Sequence, residues 1–361
     1  MMYDFQTLHE IVKAARANTP DAAWDYLTGG AETETTQLRN RLAIDSLGLR
    51  PRVLRNVREI DTSTTLLGKP MRMPVFIAPM GSLQMLDPSA GLGVAKAAES
   101  FGILSVLSSV VPPGLEVVGD ETRHPKVYQL YVRGDRAWVD DHVKRAIEHR
   151  YHAFCFTLDT AIYGRRERDV IKRHVPAARR GASGFEFQAD MTWELITWFK
   201  KEYPKFPLVL KGIANAEDAK LAVEHGAEVG YVSNHGGRQL DQGSGTIAVL
   251  QEVLQAVGNQ AEVVIDGGFL RGTDVVKAIA LGAKAVGIAR LVGCGLAAGG
   301  EPGVTRMLEL IEMEIRVAMG LLGVTRINQL DASYVRAAPP VRAPHALYSA
   351  FPHLDLPEQR Y

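Results

Sequence analysis

Eight short apolar runs recur along the chain, and helical patterns separate most of them. They fall at 74–80 (PVFIAPM), 102–109 (GILSVLSS), 126–132 (KVYQLYV), 152–159 (HAFCFTLD), 206–212 (FPLVLKG), 228–235 (EVGYVSNH), 261–268 (AEVVIDGG) and 285–290 (AVGIAR). Near-continuous apolar runs suit strands that are covered on both faces. The stretch 215–223 reads as an intervening helix with Asn215 as its N-cap, and 273–281 as another that stops at Gly282. A strand–helix unit repeated eight times predicts an α/β chain folded as a closed (β/α)8 TIM barrel. An open doubly wound sheet is the alternative.

The chain has 361 residues, more than the eight units need. We expect a single domain: an N-terminal helical cap at 1–73, a barrel at 74–335 and a C-terminal arm at 336–361. In the cap, Leu8, Ile11 and Val12 share one helix face, and a second helix covers 22–27. The arm holds Pro339, Pro340, Pro344, Pro352 and Pro357, and reads as an extended segment that packs on a neighbouring subunit. The segment 160–190 follows strand four and carries Arg165, Arg166, Arg168, Lys172, Arg173, Arg179 and Arg180. A long loop on the face where barrel active sites lie is expected to be a lid.

Charge and cysteine usage exclude several function classes. Forty-one basic and 41 acidic residues cancel, so no overall field draws in nucleic acid or an anionic membrane. The start of the chain lacks a basic segment followed by an apolar one, and no apolar run approaches the ~18 residues of a membrane span. Cys155 and Cys294 sit in mostly apolar stretches without metal-ligand spacing. These features predict a cytoplasmic protein with no disulfide and no metal.

Polar residues inside apolar strands need a reason, and here they gather at the C-terminal strand ends. Strand one ends at Pro79-Met80-Gly81, and the others carry Ser108-Ser109, Gln129 and Tyr131, Thr157 and Asp159, Lys211, Ser233-Asn234-His235, Asp266-Gly267-Gly268, and Arg290 after Ala289. In a barrel all eight ends meet on one rim. Each residue alone could cap a helix or satisfy a backbone group. Together they make three constellations. Gly267, Gly268 and Arg290 fall where barrels commonly hold phosphate, since glycine admits an anion to the backbone and arginine offers a fork. His235 and Asp159 can form a base with an orienting carboxylate. Arg166 and Arg238 can grip a carboxylate. His235 by itself is more simply a satisfied core histidine; the glycines after it and Arg238 three residues on favour the catalytic reading. His149-Arg150-Tyr151-His152 has the wrong companions for a metal motif, and Gly91-Leu92-Gly93 and Gly293-Cys294-Gly295 lack the context of a dinucleotide fingerprint.

On these residues the chain resembles the FMN-dependent L-2-hydroxy acid dehydrogenases and oxidases, a family that includes glycolate oxidase, lactate oxidase and mandelate dehydrogenase. The blocks that carry the resemblance are 233–241 (SNHGGRQLD), 266–268 (DGG), 272–274 (GTD), 129–131 (QLY), 158–160 (LDT) and 164–166 (GRR), within a match over about 5–335. The resemblance implies FMN as cofactor, a small 2-hydroxy acid as substrate, O2 or another electron acceptor, and a homo-oligomer, often a tetramer. It implies His235 as base, Asp159 as its partner and Tyr131 near the substrate hydroxyl. Tyr26, Arg166 and Arg238 would hold the substrate carboxylate. Lys211 would offset charge on the reduced ring. Pro79, Met80, Gly81, Ser108, Gln129, Thr157 and Ser233 would line the isoalloxazine, and Asp266, Gly267, Gly268 and Arg290 would serve the ribityl chain and phosphate.

The chain also departs from the family pattern. Leu270 stands where the family has an arginine, leaving Arg271 as a substitute contact to the FMN tail, and Ala289-Arg290-Leu291 replaces Gly-Arg-Pro. Gly81 stands where oxidases often carry alanine, which leans towards an acceptor other than O2. Val110 replaces a bulky aromatic and implies room for an aryl or long alkyl substrate. The competing readings are an O2-using oxidase or monooxygenase, a non-redox FMN isomerase, and a silent binding protein.

Overall fold

The computed structural model describes residues 4–356; positions 1–3 and 357–361, with Pro357 of the arm, lie outside the described residues. Eight parallel strands close into a barrel in sequence order. We label them β1 (Val75–Ile77), β2 (Ser105–Ser108), β3 (Lys126–Leu130), β4 (Ala153–Thr157), β5 (Leu208–Ile213), β6 (Val229–Val232), β7 (Glu262–Ile265) and β8 (Ala285–Ile288). Closure is made by β8 against β1, with Val286 opposite Val75. All eight coincide with the apolar runs of the sequence, and the doubly wound alternative is excluded.

Side chains of a strand alternate across its two faces, and both faces here are buried. Phe76, Val106, Val127, Cys155, Val209, Tyr231 and Val264 pack inside the bore. The intervening residues, such as Ile77, Leu107, Tyr128, Phe154, Leu210 and Val232, pack against the surrounding helices. Helix Ala216–Glu224 begins as expected, with the Asn215 side chain accepting from the Asp218 amide at 2.7 Å. Both cysteines are buried and unpaired. Helix Arg290–Leu322 follows β8 directly and is broken at Gly299 and Gly300. No helix of the described residues is long and apolar enough to cross a membrane.

Among the described residues, the N-terminal segment contains three α-helices: Leu8–Asn18, Asp21–Thr28 and Thr35–Asp45. The first packs on Arg290–Leu322. The third, which apolar periodicity does not reveal, lies against the turns that follow β6 and β7. The arm folds back on its own chain. Arg336 pairs with Gly48 in a short antiparallel ladder, and Phe351 is fully buried with its ring 5.3 Å from that of His9.

Candidate active site

Toward the C-terminal ends of β4, β5, β6 and β7, the inward series of side chains turns polar. Ala153 and Cys155 on β4 lead to Thr157 and Asp159, Val209 on β5 to Lys211, Tyr231 on β6 to Ser233, and Val264 on β7 to Asp266. Above them lies a cavity of about 560 Å³. Its wall includes Tyr26, Pro79, Met80, Gly81, Tyr131, Arg166, Lys211, His235, Arg238, Asp266, Gly267, Gly268, Ala289 and Arg290. Ser108, Gln129, Thr157 and Ser233 are buried at strand ends.

His235 follows β6 with a left-handed backbone, φ 58°, and Gly236 and Gly237 continue that turn. Its Nδ1 lies 3.0 Å from Asp159 Oδ1 and its Nε2 lies 3.2 Å from the Tyr131 hydroxyl. A carboxylate only accepts, so Nδ1 carries the hydrogen and Nε2 presents its lone pair. Burial holds the imidazole below its usual pKa; Asp159 opposes this and Lys211 adds to it. Burial would raise Asp159, but His235 and Lys211 outweigh that and keep it ionised. A neutral base beside a fixed anion can take a proton and keep it.

Below the cavity, Lys211 Nζ donates to Ser233 Oγ at 2.9 Å, and Ser233 Oγ donates to Asp266 Oδ1 at 2.6 Å. The Tyr231 hydroxyl donates to the other Asp266 oxygen at 2.8 Å. Burial disfavours the Lys211 charge, yet Asp266 and Asp159 raise its pKa, so a cation is fixed at the floor.

Arg166, Arg238 and Arg290 share one side of the cavity. Arg238 and Arg290 both donate to the Gly29 carbonyl, at 2.6 and 3.0 Å. Arg166 stacks 4.3 Å from the Tyr163 ring centroid, and Arg238 4.9 Å from that of Tyr26. Burial, reinforced by Arg238, pushes Arg290 down to about 9. Burial and then Arg166 likewise lower Arg238. An anion bound among them relieves both penalties.

Several polar atoms here lack partners. Both amide atoms of Gln129, Thr157 Oγ1, Arg166 Nε and Arg290 Nε are buried without a hydrogen bond. Buried polar groups normally find partners, so such a cluster marks a ligand's place. Gly267 adopts φ 104°, and a Cβ there would sit 2.7 Å from Thr246 Oγ1, so the backbone is bared toward the cavity.

Arg271 corrects a sequence expectation. Glu314 at 2.6 Å and the Ala350 carbonyl at 3.1 Å take its donors, and it does not line the cavity. Arg41 does, donating to the Gly268 carbonyl at 3.1 Å while Asp274 grips it at 2.7 Å. Arg41 and Gln37 come from the unforeseen helix Thr35–Asp45. The lid adds Tyr163, Arg179, Phe185 and Gln188 to the wall. Its basic, glycine-containing composition located it but did not say which side chains turn inward.

A family model described as FMN-dependent dehydrogenase matches residues 15–337. The chain belongs to this family. L-lactate oxidase from Nostoc sp. is 37% identical over 91% of this chain and 97% of its own length. A peroxisomal (S)-2-hydroxy-acid oxidase of Oryza sativa subsp. japonica is 39% identical over 91% and 95%. Among solved structures, a soluble mutant of the membrane-associated (S)-mandelate dehydrogenase from Pseudomonas putida superposes with a TM-score of 0.87 at 32% identity, covering 93% of this chain and all of that one. A mandelate oxidase structure gives 0.86 at 35% identity, covering 93% and 100%. As a family member the chain is an FMN-dependent 2-hydroxy acid oxidoreductase. The unpartnered Gln129 and Thr157 atoms, the bared Gly267 backbone and the buried Lys211 suit a flavin, whose pyrimidine edge offers both donors and acceptors.

Proposed function

We propose that the protein oxidises an L-2-hydroxy acid larger than glycolate to its 2-keto acid, with His235 as base. The observation that carries this is the imidazole itself: Nδ1 is committed to Asp159, and Nε2 opens beside Tyr131 onto a cavity walled by Arg166 and Arg238. Arg166 and Arg238, with Tyr26, hold the substrate carboxylate. Tyr131 orients the hydroxyl. His235 Nε2 accepts a proton from the substrate, and Asp159 stabilises the imidazolium. FMN, when bound, supplies the two-electron acceptor. Gln129, Thr157, Lys211, Ser233, Pro79, Met80, Gly81 and Ser108 would hold its ring, and Asp266, Gly267, Gly268 and Arg290 its tail. Anaerobic titration of the yellow protein with a panel of L-2-hydroxy acids tests the reading. Bleaching of the flavin by at least one is expected, and bleaching by none sinks it.

Val110 lines the cavity where a smaller group leaves space, which supports an aryl or long alkyl substituent. Gly81 supports a dehydrogenase. A Cβ there would meet Val110 Cγ2 at 2.8 Å, so the two residues keep each other small. Reduced flavin is therefore expected to react slowly with air and rapidly with an artificial acceptor. Fast reoxidation with stoichiometric peroxide favours the other reading, suggested by relatives named oxidases. A homotetramer in the cytoplasm completes the proposal.

Leu270 and the diversion of Arg271 to Glu314 remove cations from the FMN tail. Extensive dialysis should strip part of the flavin, and added FMN should restore it. Full flavin content after dialysis argues the reverse.

A further inference from the structure

Two more arginines stand on the lid side of the same cavity. Arg133 follows β3, and Arg179 ends the short turn Ala177–Arg179 of the lid. Arg179 lies 3.9 Å from the Tyr163 ring centroid and 5.3 Å from that of Phe185. Arg133 lies 3.9 Å from the same Phe185 centroid. Tyr163 is also the ring against Arg166. One tyrosine ring therefore links the lid pair to the proposed carboxylate clamp.

Both lid-side guanidiniums are half-buried, and neither has a carboxylate within 4.0 Å among the described residues, although Glu186 lines the same cavity. Arg168 shows the usual alternative, pairing with Glu34 at 2.5 Å. Arg133 donates to the Ser183 carbonyl at 3.3 Å. The contacts with the Tyr163 and Phe185 rings help hold the lid but do not neutralise either charge. Each guanidinium carries five N–H donors, and among the described residues the Arg133 bond to Ser183 is the one side-chain hydrogen bond the pair makes. Two neighbouring cations in a partly dry site also repel each other unless an anion joins them.

We propose that Arg133 and Arg179 form a subsite for a second carboxylate, making the preferred substrate an L-2-hydroxy dicarboxylic acid. This rests on the function proposed above, keeping its reaction and its substrate larger than glycolate, and replaces the aryl or long alkyl substituent with one that ends in a carboxylate. One carboxylate enters the Arg166–Arg238 clamp, and the other meets the in-plane donors of Arg133 and Arg179. The hydroxyl-bearing carbon stays beside His235.

The test compares L-2-hydroxyglutarate with its terminal amide, which has the same shape and no distal charge. Anaerobic flavin reduction of the holoenzyme is expected to be about tenfold or more efficient with the acid, from charge-assisted hydrogen bonds. In Arg179→Gln and Arg133→Gln the acid-to-amide ratio should fall toward one. Flavin absorbance reports whether each variant is folded; where a variant loses flavin, the ratio in the unsubstituted enzyme decides alone. Equal efficiency with acid and amide overturns the subsite, as does a ratio that survives both substitutions. L-mandelate separates the two claims. Reduction by mandelate without preference for the acid removes the subsite and leaves the function. No reduction by any of the three, nor by any other member of the L-2-hydroxy acid panel, removes the function as well.

Discussion

Replacing His235 by asparagine is expected to leave FMN bound and to abolish its reduction by 2-hydroxy acids. The imidazole presents the lone pair of Nε2 beside the Tyr131 hydroxyl in the cavity wall, and its orientation is fixed by Asp159 at 3.0 Å. Asparagine can still bond Asp159, so the cavity and the flavin contacts survive, but it has no basic nitrogen. General base catalysis typically contributes about 10²–10⁴-fold, and the rate of anaerobic bleaching should fall by at least that much. The flavin spectrum before substrate addition reports retention. Reduction within about tenfold of the parent would remove His235 from the mechanism. The pH profile adds an independent check. The free enzyme must carry a neutral imidazole, and burial depresses its pKa below the ordinary value. Efficiency is therefore full at neutral pH and falls only as pH drops through that depressed pKa. An acidic limb above about 6.5, the ordinary imidazole value, contradicts the assignment.

The barrel was legible because burial on both faces writes each strand as a continuous apolar run. The rim was legible for the complementary reason: Lys211, Asp159 and Asp266 are too costly to bury in an apolar strand without a partner, so their appearance at a strand end announces a site. Helix Thr35–Asp45 was hidden because the stripe it buries is polar. Thr36, Gln37, Asn40 and Arg41 face the turns after β6 and β7, where Asn40 and Asn234 exchange hydrogen bonds at 2.8–2.9 Å. A search for apolar periodicity cannot see such a face. Arg271 was misplaced because sequence adjacency to the Asp-Gly-Gly turn says nothing of Glu314, which lies 43 positions away and holds it. The arm was expected to reach a neighbour. Its Leu347, Phe351 and Leu354 are buried on this chain, spaced for a single apolar contact face that its prolines obscured.

Substitution of Arg238 by alanine should lower the efficiency of substrate oxidation on the order of 10²-fold or more, mainly through a higher KM. Truncating one partner of a buried charged hydrogen bond typically costs about 2–5 kcal/mol, and the substrate carboxylate would face Arg166 alone. Arg166→Lys is the milder probe. It keeps the charge but loses the fork, and a loss of about tenfold is expected. A structural explanation is available for Arg238, since its Nη1 donates to the Gly29 carbonyl and could simply position the N-terminal segment. Exogenous guanidinium separates the two. If the side chain binds the substrate carboxylate, added guanidinium should restore part of the Arg238→Ala rate and lower its KM, with flavin content unchanged. If it only braces Gly29, Arg290 already donates to that carbonyl and KM should hardly move. An Arg238→Ala enzyme with parental KM would leave the carboxylate clamp to Arg166 and Tyr26. The proposed anchoring of the substrate's α-carbon near His235 would then rest on one cation instead of two.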